Sequence, residues 1–209
     1  QGHHEWTTIK RPDGSLQWNP PAGHWTILRI GHTPTGQLGA SQPDAAAGPE
    51  LDKLSRQAVD DWFRHMDEYL FNDLRPYTSL RGLEIDSWEV GVQNWTQRMP
   101  GDFFEQNRYD ITQWLPALTG RIINNAADTN AFLFDFRRTQ ATLVATEYYG
   151  GFKAHCAAKG WHLWGEPYGD GMFDSLQVSQ PLDLPMGEFW EGYVPGTMNT
   201  ISVAVSVML

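Results

Sequence analysis

Residues 82–89 read Gly82-Leu-Glu-Ile-Asp-Ser-Trp-Glu89, and the fold turns on them. Gly82 to Asp86 is a short run carrying Leu and Ile, which predicts a strand. Ser87 to Pro100 is polar and aromatic, which predicts a loop outside the core. Glu89 therefore falls just beyond a strand end. Two later stretches repeat the arrangement. Trp161-His-Leu-Trp-Gly-Glu166 predicts a strand closing on Glu166, and Leu182-Asp-Leu-Pro-Met-Gly-Glu188 predicts one closing on Glu188.

Working outward, helices are expected between these strands. Leu54, Ala58, Trp62, Met66 and Tyr69 recur at helical spacing, so a helix is expected over about 51–74, ended by Pro76. Short helices are expected around 102–107 and 111–118. The longest runs from about Asn130 to Lys159, broken or kinked near Gly150-Gly151. Residues 1–33 read as a β-rich segment, with a strand over Trp25-Thr-Ile-Leu-Arg-Ile-Gly31. Thr33 to Pro49 reads as a loop. Strand, loop, helix, strand in that order favours an α/β fold with a parallel sheet. In a (β/α)₈ barrel all strand C-termini open onto one face, where active sites are built. Acids from three strand ends would converge there. Three units are too few to close such a barrel, so the expectation is a partial TIM-type barrel over 34–209 or an open sheet. The start at Gln1 and the uncapped apolar run Ile201 to Leu209 read as the edges of a piece of a larger multi-domain enzyme.

Composition narrows the chemistry. The 209 residues include 25 acidic and 15 basic side chains, a net charge of −10. That balance opposes a nucleic-acid partner, which needs excess Lys and Arg. Ten Trp and 13% aromatic residues exceed what a core needs, so some are expected to line a cleft. The single cysteine, Cys156, excludes a disulfide framework and a cysteine zinc site, and reads as packing. No run of 18 apolar residues predicts a membrane span. There is no P-loop and no nucleophile elbow.

Cleaving a glycosidic bond needs two carboxyl groups: one protonates the leaving oxygen, the other activates water or attacks the sugar. Glu89, Glu166 and Glu188 are the candidates, with Asp86 and Asp174 behind them. Acids at strand ends also serve simply to solvate loops, but three flanked by Trp, Tyr, Phe and Gly favour a sugar site. Two rivals stand beside it: a non-catalytic carbohydrate-binding fragment, and another barrel glycosidase acting on a different sugar.

Several strings occur together: Gly31-His-Thr-Pro-Thr-Gly36, Glu50-Leu-Asp-Lys-Leu-Ser55, Ile85-Asp-Ser-Trp-Glu-Val-Gly91 with Gln93-Asn-Trp-Thr96, Leu118-Thr-Gly-Arg121, Phe134-Asp-Phe-Arg137, Gly165-Glu-Pro-Tyr-Gly169 and Pro185-Met-Gly-Glu-Phe-Trp190. Over about residues 23–190 they resemble glycoside hydrolase family 106, the α-L-rhamnosidases. The resemblance implies a large, mostly bacterial enzyme, periplasmic or secreted, with a (β/α)₈ barrel. It implies removal of terminal α-L-rhamnose from plant or microbial glycans with inversion, and an associated calcium ion. Glu89 would be the general acid. Glu188 would be the base or a metal ligand, and Glu166 a further cleft carboxylate. Asp52, Lys53, Trp88, Asn94, Trp95, Tyr168 and Trp190 would contact substrate; Asp86 and Glu188 would hold calcium, with Asp52 a further candidate. A further strand with an Ala-Glu-x-Phe string, shortly after a helix beginning near Asn199, is expected to carry a strong candidate for the base. This sequence does not contain that string, so the chain alone is expected to be inactive.

Overall fold

The computed structural model describes residues 15–39, 47–77 and 79–188. Three parallel strands form its sheet: β1 (Gly82–Ile85), β2 (His162–Gly165) and β3 (Leu184–Pro185), in that spatial order. Parallel neighbours need a crossover to bring the chain back. Between β1 and β2 this is a long helical excursion: α3 (Met99–Asn107), a 3₁₀ segment Ile111–Thr119, α4 (Ala126–Leu143) and α5 (Gly150–Ala158). Between β2 and β3 it is the short α6 (Ser175–Ser179), which the sequence reading did not anticipate. Ile85 pairs Gly165 and Gly165 pairs Pro185, so the three strands end on one row. A closed barrel is not formed by these three strands.

The first helix begins at Arg56, where the Ser55 hydroxyl caps Ala58 N–H. α1 (Arg56–Met66) runs through a π-helical turn, Asp67–Phe71, into α2 (Asn72–Leu74). The π turn inserts one residue per turn and rotates the apolar face. Tyr69, expected inside, is 77% exposed, and Phe71 is buried in its place. The long helix is also continuous. α4 passes through a second π turn, Val144–Tyr149, directly into α5, so the helix is not broken at Gly150-Gly151 but carries an irregular turn that ends immediately before them. Gly151 serves closeness instead. A Cβ there would stand 3.0 Å from Arg56 Nε and 3.1 Å from Val59 Cγ1, so the glycine lets α5 pack tightly on α1.

The core lies where α1 and α5 meet the sheet. Phe63 packs against Phe71 and Phe152, and Leu163 and Cys156 are fully buried in the same cluster. Burial pushes the Cys156 thiol up to about 11, which suits packing and not reactivity. A second aromatic group, Phe103, Trp114, Phe132 and Phe136, joins α3, the 3₁₀ segment and α4.

The strand expected over Trp25 to Gly31 is not formed. Residues 24–33 find no ladder partner and are exposed, and a strand without a partner leaves its backbone groups unpaired. An isolated antiparallel bridge, Leu38 to Pro49, is the one pairing in this region among the described residues. No described helix is long and apolar enough to cross a membrane.

Candidate active site at the strand ends

The site is built from residues immediately past the row where the strands stop. Glu166 N–H donates to Ile85 O at 2.8 Å, and Met186 N–H donates to Gly165 O at 2.7 Å. These bonds extend the parallel pattern one residue further. They place Asp86, Glu166 and the Met186-Gly-Glu188 segment side by side.

Glu166 is buried. Its carboxyl is pushed above the ordinary carboxylate range, first by burial; the nearby Tyr168 hydroxyl opposes this, and the Glu188 and Asp86 carboxylates add to it. The Tyr168 hydroxyl is raised in turn, by burial and then by Glu166. Yet neither Glu166 Oε2 nor Tyr168 Oη completes a hydrogen bond of ordinary geometry. The groups are close enough to perturb one another and too poorly aligned to satisfy one another. Asp86, Glu166, Tyr168 and Glu188 thus form one acidic cluster.

Glu89 stands apart from that cluster on the loop after β1. Its side chain is exposed, and Ser87 Oγ donates to its Oε1 at 3.2 Å. The loop that carries it is fixed by its neighbours. Trp88 is 2% exposed, which reverses the expectation of a loop outside the core. Trp88 N–H donates to Tyr168 O at 2.8 Å, and Asp170 N–H donates to Trp88 O at 2.9 Å. This is a parallel bridge between Trp88 and Gly169. The indole N–H donates to Gly91 O at 2.6 Å. Further along, Gln93 accepts from Lys53 N–H at 2.9 Å and donates to Leu51 O at 2.8 Å. Thr96 donates to Asp52 Oδ2 at 2.8 Å, and the buried Gln140 donates to Asn94 O at 2.9 Å. The loop is therefore tied to the α1 entrance, to α4 and to the loop after β2.

The expected substrate contacts fare unequally. Trp88 has no free face to offer a sugar, because Tyr148, Phe173 and Lys53 surround it. Lys53 is buried too. Its ammonium lies 4.7 Å from the Trp88 ring centre, 4.9 Å from that of Tyr148 and 3.6 Å from Glu50 Oε1. Burial lowers its proton affinity, with Glu50 and then Asp86 opposing. Asp52 spends its carboxylate on Leu54 N–H and Thr96. Asp174 caps α6 through Leu176 and Gln177 N–H, which explains it as a helix start. Asn94 keeps its side chain exposed. Trp95 is half-buried, with His32 stacked at 6.3 Å. Trp190 lies outside the described residues.

The residues missed in sequence are Gln140 and Thr96. Gln140 falls four residues after Phe136 and eight after Phe132, on the buried stripe of α4. A polar side chain on such a stripe must find a partner. That is the signal that pointed to it.

Calcium takes about six to eight oxygen ligands. The unpartnered Glu166 Oε2 is an oxygen a cation would satisfy. Among the described residues, however, no three His, Cys, Asp or Glu side chains gather into a set that could hold a metal ion. Asp86 and Glu188 do not make such a site without further ligands.

Three comparisons bear on this arrangement. The sequence model of glycoside hydrolase family 106, described as alpha-L-rhamnosidase, matches residues 5–204. A Formosa agariphila protein named for beta-glucuronidase is similar to the chain, 39% identical over 184 residues, which are 87% of this chain and 16% of that protein. The rhamnosidase structure from Novosphingobium sp. PP1Y is similar in fold, with a TM-score of 0.75 at 30% identity, over 82% of this chain and 17% of that one. The chain thus spans about a sixth of the length of the proteins it matches.

Proposed function

The chain belongs to glycoside hydrolase family 106, the alpha-L-rhamnosidases, and from that premise we propose that it carries the proton donor of an enzyme removing terminal α-L-rhamnosyl groups from glycans or glycosides. The observation that carries the reading is Glu89, exposed on a loop after β1 that is held by bonds on three sides.

In the proposed reaction the protonated Glu89 carboxyl gives its proton to the glycosidic oxygen as the bond breaks. A second carboxylate on the far side of the ring takes a proton from the attacking water. Glu188, or a residue carried beyond Leu209, fills that role. One displacement inverts the anomeric centre, which requires the two carboxyls roughly 6.5–9.5 Å apart. Glu166, held in a buried setting that favours its neutral form, is a poorer base and is assigned to positioning Tyr168 and Asp86. Asn94, Trp95, Tyr168 and Trp190 are proposed to line the sugar. Asp52, Lys53 and Trp88 are assigned to supporting the Glu89 loop. Asp86 and Glu188 are proposed as part of a calcium site completed by other oxygens, an ion that would order sugar hydroxyls; no step above depends on it.

The relative named for beta-glucuronidase supports a second reading, in which the sugar released is a glucuronic acid. A pair of chromogenic substrates separates the two. With the native polypeptide, para-nitrophenyl α-L-rhamnoside is expected to be hydrolysed and para-nitrophenyl β-D-glucuronide to be left intact. The reverse pattern sinks the rhamnosidase reading.

A further inference from the structure

Beside the Glu89 loop lies a groove of about 310 Å³, at the lower end of small-molecule sites. Its walls include part of the loop that carries Glu89. Val92 and Asn94 come from the Glu89 loop, Met172 from the loop after β2, Leu118 from the 3₁₀ segment, and Leu133 and Arg137 from α4. Val92 is 51% exposed and Leu118 39%, an apolar rim open to solvent. The Asn94 carbonyl is held by Gln140, which keeps this wall in place.

Arg137 is the charged group in this wall, and its guanidinium makes no hydrogen bond or ion pair among the described residues. The contrast with its neighbour is sharp. Arg138 is paired with Asp135 at 2.9 Å and donates to Asn107 Oδ1 at 2.7 Å. The Asn94 side-chain amide is likewise without an intramolecular partner among the described residues. In a chain with 25 acidic and 15 basic residues, an anion is repelled over most of the surface and received where an unneutralised cation faces a recess. A guanidinium offers two parallel N–H donors that match a carboxylate.

We propose that this groove receives the leaving-group side of the substrate, and that the group it selects is a uronate, with Arg137 binding its carboxylate and Asn94 its hydroxyls. The apolar rim of Val92, Leu118 and Met172 would meet the C–H face of the ring. The proposal rests on the rhamnosidase reading for which sugar is released, and assigns what that sugar is released from. Arg137 is then a specificity residue remote from proton transfer.

The test uses the native polypeptide and two measurements. The first is kcat/KM on a rhamnosyl-glucuronate disaccharide and on its methyl ester, for the wild type and for Arg137→Ala and Arg137→Lys. The free acid is expected to be preferred about tenfold, expressed in KM; Arg137→Ala should bring the ratio near one, and Arg137→Lys should restore part of it. An unchanged ratio in Arg137→Ala overturns the assignment. The second is calorimetric binding of free glucuronate and of a sulfated hexose, which needs no turnover. Glucuronate binding lost in Arg137→Ala supports the groove even if rhamnosides prove inert. Binding that ignores the substitution, or that favours the sulfate ester over glucuronate, overturns it. Hydrolysis of para-nitrophenyl α-L-rhamnoside by the same preparation reports separately on the reading beneath.

Discussion

Trp88 and Glu89 are adjacent in sequence and opposite in burial, and that opposition places the acid. The indole is driven into the core by Tyr148 and Phe173, so the next side chain is turned outward. Gly169 completes the device. Its φ of +121° lies where L side chains rarely go, and an added Cβ would meet Trp88 O at 2.1 Å. Gly169→Ala is therefore expected to break the Trp88 bridge and cost on the order of 3 kcal/mol, read as a lowered denaturant midpoint. A stability unchanged within error would show that the bridge is not needed. Lys53 illustrates a different lesson. The resemblance implies Lys53 as a substrate contact, but here two aromatic faces and Glu50 already occupy its charge. Nothing in the sequence names the two aromatic partners, because the fold brings them in from 35 and 95 positions away.

At the scale of elements, the site depends on loops being tied to helices. Gln93 bonds the entrance to α1 through both ends of its amide, and Gln140 reaches from α4 to Asn94. Gln140→Leu would leave the Asn94 carbonyl unpaired in a half-buried place, at a cost of about 1–3 kcal/mol. Because that loop carries Glu89, kcat is expected to fall about tenfold while the far-ultraviolet dichroism stays native. Intact kcat would argue against the tether. β3 is fixed to β2 by Asp183, whose carboxylate accepts from Leu163 N–H at 2.8 Å and from Lys153. Burial works against its charge, but Lys153 and the Leu163 N–H outweigh it, so the folded value lies below the ordinary range. A lowered folded value stabilises the fold above the ordinary carboxylate value and loses that gain as pH falls through it. The stability difference between wild type and Asp183→Asn should therefore be full near pH 6 and shrink below about pH 4. A pH-independent difference would remove the charge from the explanation.

Over the whole molecule, the strands and their closing acids were legible in sequence, since short apolar runs ending in turn formers and acids carry their own punctuation. Helix extents were legible too, but the two π turns were not. They leave the residue spacing unmarked while rotating Tyr69 out and Phe71 in. The apolar pattern over Trp25 to Ile30 misled for a related reason: alternation describes a strand only when a neighbouring strand supplies the hydrogen bonds. Of the three strand-end acids, Glu166 and Glu188 fall in one cluster with Asp86, while Glu89 stands apart on its loop. The burial of Glu166 and the exposure of Glu89, on which their proposed roles rest, arise from packing that no local pattern encodes. The roles make a stereochemical prediction for the native polypeptide: proton NMR of early hydrolysis should show β-L-rhamnose appearing first, and α-L-rhamnose first would replace inversion by retention. The most direct test of the central claim is the effect of Glu89→Gln on two aryl rhamnosides of unequal leaving-group ability. A proton donor matters most when the leaving oxygen is poor. The account predicts a fall of about 10²–10⁴-fold in kcat/KM on the phenyl rhamnoside and little change on the dinitrophenyl one; equal losses on both, or none on either, would contradict Glu89 as the acid.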